Sequence, residues 1–236
     1  MKILAAIDIM SGAVVRLTKG DQSTKKVYST NPVQVAKKWE NDGADMLHIV
    51  DLDAALGNNS NNLSIICDIL HAVSIPIQIG GGIRHVENFE RVAKMGFSKI
   101  VIGTMAYRNV DELRLLSKNY GHKIVISLDE MNGNVMIDGW KSSSNYKIED
   151  AISRFNKMGI NIFLLTSIIK DGTLSGPDIV TLNRINTGRK SKIIASGGIS
   201  SLMDVLRVRS IGCHSVILGK ALYEERLDIK KVKAIA

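Results

Sequence analysis

The segment IPIQIGGGIR at residues 75–84 decides the fold, because a related segment, IIASGGISS, occurs at residues 193–201. In both, a short apolar run ends in a glycine pair that is followed by isoleucine. The matching positions lie 116 residues apart, and a second pair of segments repeats at the same distance. The repeats are Gly81-Gly82-Ile83 with Gly197-Gly198-Ile199, and Ile102-Gly103-Thr104 with Leu218-Gly219-Lys220. Repeats at one fixed distance indicate that the chain contains its own pattern twice.

Eight short runs that are apolar on both faces occur along the chain, which is typical of buried parallel strands. They are Ile3–Ile9, Met46–Val50, Ile75–Ile79, Lys99–Ile102, Lys123–Leu128, Ile160–Leu165, Lys192–Ala195 and His214–Leu218. The segments between them have apolar residues at helical spacing. These predict helices over Pro32–Asn41, Leu63–Val73, Val86–Met95, Val110–Asn119, Ile148–Met158, Ile179–Ile185 and Leu202–Val208.

Eight strands that alternate with helices predict an α/β fold, a single-domain (β/α)8 TIM barrel. A doubly wound open sheet is the alternative, but no glycine fingerprint follows the first strand, and an open sheet gives no reason for the internal repeat. We expect two similar half-barrels, at about residues 1–120 and 121–236. No linker rich in proline or serine separates them, so one domain over residues 1–236 is predicted.

The composition, 45% hydrophobic and 23% charged residues, excludes a disordered chain or a coiled coil. We found neither a signal-peptide core nor an apolar run of the roughly 18 residues that a membrane helix needs, so a cytoplasmic protein without a membrane partner is expected. Cys67 and Cys213 are interpreted as reduced core thiols. The net charge of +8 would suit nucleic acid, an anionic membrane or a phosphorylated small molecule. The basic residues are scattered, so nucleic-acid binding is not expected.

Two carboxylates are candidates for acid and base chemistry. Asp8 and Asp129 lie at the ends of the first and fifth predicted strands, on opposite sides of the ring. Barrel active sites lie at the carboxyl ends of the strands, so both side chains would face the mouth. Two separated carboxyl groups, one protonated and one ionised, are what a proton-transfer reaction needs. The alternative is that each aspartate only caps a turn or pairs with a lysine.

Glycine clusters at the same rim predict phosphate binding, since a side chain would keep an anion away from the backbone N–H groups. One cluster comprises Gly81, Gly82, Gly103 and Thr104, and the other comprises Gly197, Gly198, Gly219 and Lys220. Two clusters across the ring predict a ligand with a phosphate at each end. Tight turns also use glycine for steric reasons alone, and that alternative stays open.

Metal binding is not expected, because the five histidines are isolated and no cysteine pair is present. The chain also lacks a Walker motif and a GxSxG nucleophile elbow. No cofactor is predicted.

At the rim the sequence resembles the HisA family, the sugar isomerases of histidine biosynthesis. The resemblance runs from end to end of the chain. The motifs that carry it are AAIDIMSGAVVRLTKGD at 5–21, HIVDLDAALG at 48–57, IGGGIR at 79–84, VIGTMAYRN at 101–109, SLDEMNGNVMIDGW at 127–140, LLTSIIKDGTLSGPD at 164–178, ASGGISSLMDV at 195–205 and VILGKALYEE at 216–225.

The resemblance implies an Amadori rearrangement, in which an aminoaldose becomes an aminoketose without metal or cofactor. It implies that Asp8 is the general base for the C2 proton and that Asp129 is the general acid for the ring oxygen. Thr166 would assist near the second carboxylate. The substrate and its two phosphates would be bound by Arg16, Trp140, Asp171, Gly172 and the two glycine clusters. A monomer is expected.

Two other functions remain open at this point. A bifunctional isomerase would also act on phosphoribosylanthranilate in tryptophan biosynthesis, by the same chemistry. A barrel without catalytic activity would bind a phosphosugar only.

Overall fold

The protein forms a closed barrel of eight parallel strands in a computed structural model that describes residues 1–58, 62–186 and 191–236. The strands are β1 (Lys2–Met10), β2 (Ala13–Thr18), β3 (Asp21–Ser29), β4 (Met46–Asp51), β5 (Ile77–Gly80), β6 (Lys99–Ile102), β7 (Ile124–Met131), β8 (Asn134–Ile137), β9 (Ser142–Lys147), β10 (Ile162–Ser167), β11 (Lys192–Ser196) and β12 (Ser215–Leu218). The helices are α1 (Pro32–Asn41), α2 (Leu52–Leu56), α3 (Leu63–Ala72), α4 (Val86–Lys94), α5 (Thr104–Arg108), α6 (Val110–Tyr120), α7 (Ile148–Asn156), α8 (Ile179–Ile185), α9 (Leu202–Ile211), α10 (Lys220–Tyr223) and α11 (Ile229–Ile235).

The ring runs in the order β1, β4, β5, β6, β7, β10, β11, β12, and β12 pairs with β1 to close it. All eight predicted strands are therefore confirmed, and so is the (β/α)8 barrel. The seven predicted helices are present, most with ends within two residues of the prediction. β1 and β7 are four positions apart, on opposite sides of the ring. The division into half-barrels, and a single domain, stay predictions.

Strand alternation decides which side chains enter the barrel. Leu4 and Ala6 of β1 belong to the small cluster inside the barrel, whereas Ile3 and Ile7 pack in the larger core against the helices. Asp8 has the same parity as Leu4 and Ala6, so its side chain enters the mouth of the barrel. The inner cluster comprises Leu4, Ala6, Met46, Val101, Val125, Ile162, Leu164, Ile194 and Ile217.

Four strands and four short helices were not predicted from the sequence. β2 and β3 form a hairpin on β1, and β8 and β9 extend β7 in the same way. The turns at Ser11-Gly12 and Asn132-Gly133 have positive φ at both residues, as a two-residue hairpin turn requires. Both hairpins therefore rise above the carboxyl ends of barrel strands. The helices missed are α2, α5, α10 and α11.

The two cysteines are free thiols in different environments. Cys213 packs in the core that lies between the barrel and the helices, as predicted. Cys67 on α3 is half-buried, so the prediction of a core position is only partly right for it. No helix of the described residues is long and apolar enough to cross a membrane.

Candidate active site

Two adjoining pockets at the carboxyl ends of the strands contain every residue predicted for the site. The larger has a volume of about 260 Å³, and the smaller about 20 Å³. Arg16 and Asp171 line both pockets and therefore join them. The predicted residues in the larger pocket are Asp8, Arg16, Gly81, Gly82, Gly103, Thr104, Asp129, Trp140, Thr166 and Asp171. Those added by the smaller pocket are Gly172, Gly197, Gly198, Gly219 and Lys220.

Asp8 is held by an arginine from the neighbouring hairpin. Nη1 of Arg16, on β2, donates to Oδ2 of Asp8 at 2.8 Å, and the side chains are only 9% and 15% exposed. Burial raises the pKa of Asp8 to about 6, Arg16 opposes that rise, and Asp171 adds to it. Asp8 is thus a carboxylate that can gain or lose a proton near neutral pH.

Asp129 has a different environment on the opposite strand. Burial raises its pKa to about 6, while hydrogen bonds from Ser127, Trp140 and Thr166 act in the other direction. Thr166 lies directly beside Asp129 in the parallel pair β7–β10. The largest influences on this pKa are burial and neutral side chains, and Asp171 raises it further. Neutral donors therefore surround this carboxyl group, in contrast to Asp8.

Asp171 is a third carboxylate at the same mouth, in the loop after β10. Its pKa is raised by burial, and the nearby Arg16 and Lys220 lower it. The Lys220 ammonium donates to the Gly172 carbonyl at 2.9 Å, so it also ties this loop to α10. Asp171 in turn raises the pKa of both Asp8 and Asp129.

Trp140 lies over the mouth from the β8–β9 hairpin. Its side chain faces Asp129 and lowers the pKa of that carboxyl group. Its ring occupies the space where a Cβ on Gly20 would stand, at 2.7 Å from Cε3. The preceding Asp138 donates its backbone N–H to the Thr104 hydroxyl at 2.9 Å and pairs with Arg108. The β8–β9 hairpin is thus fixed to the rim at two places, on α5 through Asp138 and on Gly20 through Trp140.

The prediction did not include His48, which lies in the wall of the larger pocket. Gln78 donates from Nε2 to His48 Nδ1 at 2.8 Å, which leaves the ring proton on Nε2. Burial, together with the charge of Arg16, lowers the pKa of His48 to about 3, so the ring is neutral. The sequence did carry a signal for it: His48 lies two residues after Met46 on β4, whose side chain points into the barrel, so His48 points inward as well.

Among the described residues, no three histidine, cysteine or acidic side chains are placed so that they could hold a metal ion together.

Several predicted phosphate-binding glycines are also required by the fold. A Cβ on Gly81 would lie 2.3 Å from the Asp51 carbonyl, and one on Gly198 would lie 2.3 Å from the Gly176 carbonyl. A Cβ on Gly172 would lie 2.5 Å from the Leu17 carbonyl. Steric need is therefore sufficient to explain these three glycines, whether or not their N–H groups bind an anion.

Replacing Gly198 by alanine tests this steric requirement. We expect Gly198→Ala to lower the free energy of unfolding by about 1–3 kcal/mol more than Gly159→Ala, because the added methyl group overpacks only the first site. Gly159 is a matched control, since it has the same φ of +80° and nothing within 4 Å of its added Cβ. Urea unfolding of both variants is the measurement. Equal losses would contradict the close approach at Gly198.

A comparison with known families identifies the chain. Residues 2–228 match the family model described as histidine biosynthesis protein. The chain belongs to the histidine biosynthesis protein family. This bears out the HisA resemblance seen in the sequence, and the match includes both pockets.

Three members of this family are similar over nearly their whole length. The relative from Nitrosopumilus maritimus is 47% identical over all of this chain and 99% of its own. The one from Cenarchaeum symbiosum is 47% identical over 98% of both chains, and the one from Halothermothrix orenii is 42% identical over 98% of both. Each is named 1-(5-phosphoribosyl)-5-((5-phosphoribosylamino)methylideneamino)imidazole-4-carboxamide isomerase.

Proposed function

We propose that this protein is the same isomerase. Its substrate is the aminoaldose in that name, abbreviated ProFAR, and its product is the corresponding aminoketose of histidine biosynthesis, abbreviated PRFAR. The observation that carries the proposal is the pair Asp8 and Asp129, which reach one cavity from opposite strands and differ in their surroundings. An Amadori rearrangement needs one group to deliver a proton and another to remove one. The relatives are all named for this single substrate, which favours the one activity over a bifunctional isomerase.

The environments support the two roles. Arg16 stabilises the ionised form of Asp8, as a general base requires. Burial is the largest influence on Asp129 and raises its pKa to about 6, so its protonated form is accessible near neutral pH, as a general acid requires. Thr166 and Trp140 face the Asp129 carboxyl group and lower its pKa, which opposes the effect of burial.

The proposed steps are proton transfers. Asp129 gives its proton to the ribose ring oxygen as the bond from that oxygen to C1 breaks, and the amine nitrogen forms a double bond to C1. Asp8 then removes the proton from C2, the electrons of that C–H bond form a double bond between C1 and C2, and the electrons of the C1–N double bond return to the nitrogen. The resulting enol loses its hydroxyl proton while C1 gains a proton, which gives the ketone and completes the aminoketose.

The substrate's two phosphates fit the two glycine clusters. We assign one phosphate to Gly81, Gly82, Gly103 and the Thr104 hydroxyl in the larger pocket. The other fits the smaller pocket, where Gly197 and Gly198 face Arg16 and Lys220. Two cations at that end give charge complementarity to a phosphate. Arg16 and Lys220 account for only a small part of the net charge of +8.

The purified protein is expected to convert ProFAR to PRFAR, measured by chromatographic separation of the two. Phosphoribosylanthranilate, tested at the same enzyme concentration, is expected to give no turnover. Turnover of the anthranilate compound would overturn the single specificity. Binding of ProFAR without conversion would overturn the enzyme proposal and favour the non-catalytic barrel.

We further propose a monomeric, cytoplasmic enzyme with no nucleic-acid or membrane partner. The scattered placement of the basic residues supports the absence of a nucleic-acid partner, because nucleic-acid binding usually needs a continuous basic surface. Light scattering gives the mass in solution, and cell fractionation gives the location. Nonspecific phosphate contacts weaken steeply as the salt concentration rises to about 0.2 M, so retention on DNA that persists there would contradict the absence of a nucleic-acid partner.

A further inference from the structure

Gly103 and Gly219 hold equivalent positions in the two halves of the barrel. Each follows a barrel strand, β6 or β12, and each precedes a short helix, α5 or α10. Their backbones are alike, with φ −100° and ψ −106° at Gly103 and φ −114° and ψ −108° at Gly219. Any backbone strain that alanine would suffer is therefore similar at the two positions.

Their surroundings differ. A Cβ on Gly103 would find its nearest neighbour, the Ser127 Cβ, at 3.9 Å, which is ordinary contact. A Cβ on Gly219 would lie 2.5 Å from Nη2 and 2.8 Å from Cζ of Arg16. The guanidinium therefore occupies the volume that any side chain at residue 219 would need.

The same guanidinium reaches the predicted base. Its Nη1 donates to Asp8 at 2.8 Å, while Nη2 lies over Gly219. We propose that Gly219 is a positioning residue for the isomerisation: it lacks a side chain so that the Arg16 guanidinium can lie against it and hold Asp8, the general base. This inference rests on the proposed function of Asp8. It assigns to Gly219 a role beyond the phosphate contact that the sequence predicts.

The charged groups around Asp8 explain why the position of Arg16 matters. Arg16 from β2 lowers the pKa of Asp8, and Asp171 from the loop after β10 raises it. Tyr223 on α10 and the neutral His48 on β4 also face this ion pair. Displacing Arg16 would leave burial and Asp171 unopposed, so the pKa of Asp8 would rise above about 6.

The test is the pH dependence of kcat/KM, whose acid limb reports the base in the free enzyme. Gly219→Ala is expected to move that limb upward by about 1 pH unit, within the range that a neighbouring opposite charge produces. Gly103→Ala, the matched control, is expected to leave the limb in place and to change only KM. If Gly219 served the phosphate alone, both variants would raise KM without moving the limb, and that result would overturn the inference.

A double-mutant cycle separates positioning from general damage. In an Arg16→Met background no guanidinium lies over residue 219, so adding Gly219→Ala is expected to cause no further shift of the acid limb. A further shift of similar size would contradict the inference. The comparison within the Arg16→Met background also stays valid if the single variants differ in stability.

A measurement without substrate distinguishes this inference from the proposed function. The Asp8 carboxyl carbon can be titrated by NMR in the ligand-free protein, with Asp8→Asn used to assign the signal. Its pKa is expected to be higher in Gly219→Ala than in Gly103→Ala. If the unmodified protein fails to convert ProFAR, the function falls and this titration still tests the position of Arg16. If conversion stands and the two pKa values agree, only the inference falls.

Discussion

Asp8→Asn is expected to lower kcat for ProFAR isomerisation by about 10²- to 10⁴-fold, the range that general acid–base catalysis contributes. Asparagine keeps the shape of the side chain but cannot accept the C2 proton. Steady-state kinetics give kcat. Affinity for PRFAR, measured by calorimetry, is expected to stay within about fivefold, because the phosphate sites that we propose lie elsewhere in the two pockets.

Asp45→Asn provides a matched control at the opposite end of the barrel. Asp45 also accepts a hydrogen bond and forms an ion pair, to the Ile3 N–H and Lys233 respectively. Asp45 lies outside both pockets, so the kcat of Asp45→Asn is expected to equal that of the unmodified protein. Unchanged activity in Asp8→Asn would remove Asp8 from the mechanism.

The barrel could be predicted because its signals are local. A buried parallel strand is apolar on both faces, and eight such runs at regular intervals leave few possible folds. The fixed distance between Gly81 and Gly197 then indicated the internal symmetry. Since catalytic residues of a barrel follow its strands, the rim positions could be found from the strand ends alone.

The hairpins above the rim were missed although part of their signal was present. Asn132-Gly133 is a strong two-residue turn sequence. β3, however, is mostly polar and mostly exposed, so no apolar alternation marks it as a strand. Trp140 was assigned to the site from the resemblance alone, and its packing on Gly20 depends on how two such hairpins meet.

The ion pair at Asp8 and the role of Gly219 lie beyond sequence patterns for another reason. Arg16 and Gly219 are far apart in the chain and meet only because β12 pairs with β1 to close the ring. The repeat predicts that Gly103 and Gly219 are equivalent, and their backbones are. The hairpin on β7 matches the one on β1, but it carries Ile137 at the position that Arg16 holds on β2, so the two glycines differ in what they contact.

Asp129→Asn is expected to lower kcat by a similar factor of about 10²–10⁴. Asp171→Asn is the comparison, because Asp171 faces the same mouth but lies beside Arg16 and Lys220, which favour its ionised form. We expect Asp171→Asn to act mainly on KM, through the charge balance near the smaller pocket. If Asp171→Asn instead loses kcat and Asp129→Asn keeps it, the acid is Asp171 and the assignment made here is wrong.

The same Asp129 variant should gain stability while it loses activity. The folded protein holds the Asp129 proton up to about pH 6, whereas the unfolded chain releases it near the ordinary pKa of 3.8. Between those values the unfolded chain binds fewer protons, so the free energy of unfolding falls as the pH rises, and the loss is complete above about pH 6. Two pKa units correspond to at most about 3 kcal/mol.

Asparagine carries no charge to bury, so Asp129→Asn is expected to be more stable than the unmodified protein at pH 8, by about 1–3 kcal/mol. The difference should shrink as the pH falls through 6 toward 4, because the folded carboxyl group is then protonated and the unfolded one is ionised only in part. Urea unfolding at pH 4, 6 and 8 measures it. Asp45→Asn, which removes a carboxylate paired with Lys233, should show no such gain at pH 8.

A gain that did not depend on pH would mean that packing, and not the buried charge, limits stability at Asp129. A pH-dependent gain together with a loss of kcat would identify a carboxyl group kept at a cost to the fold because the reaction needs its proton.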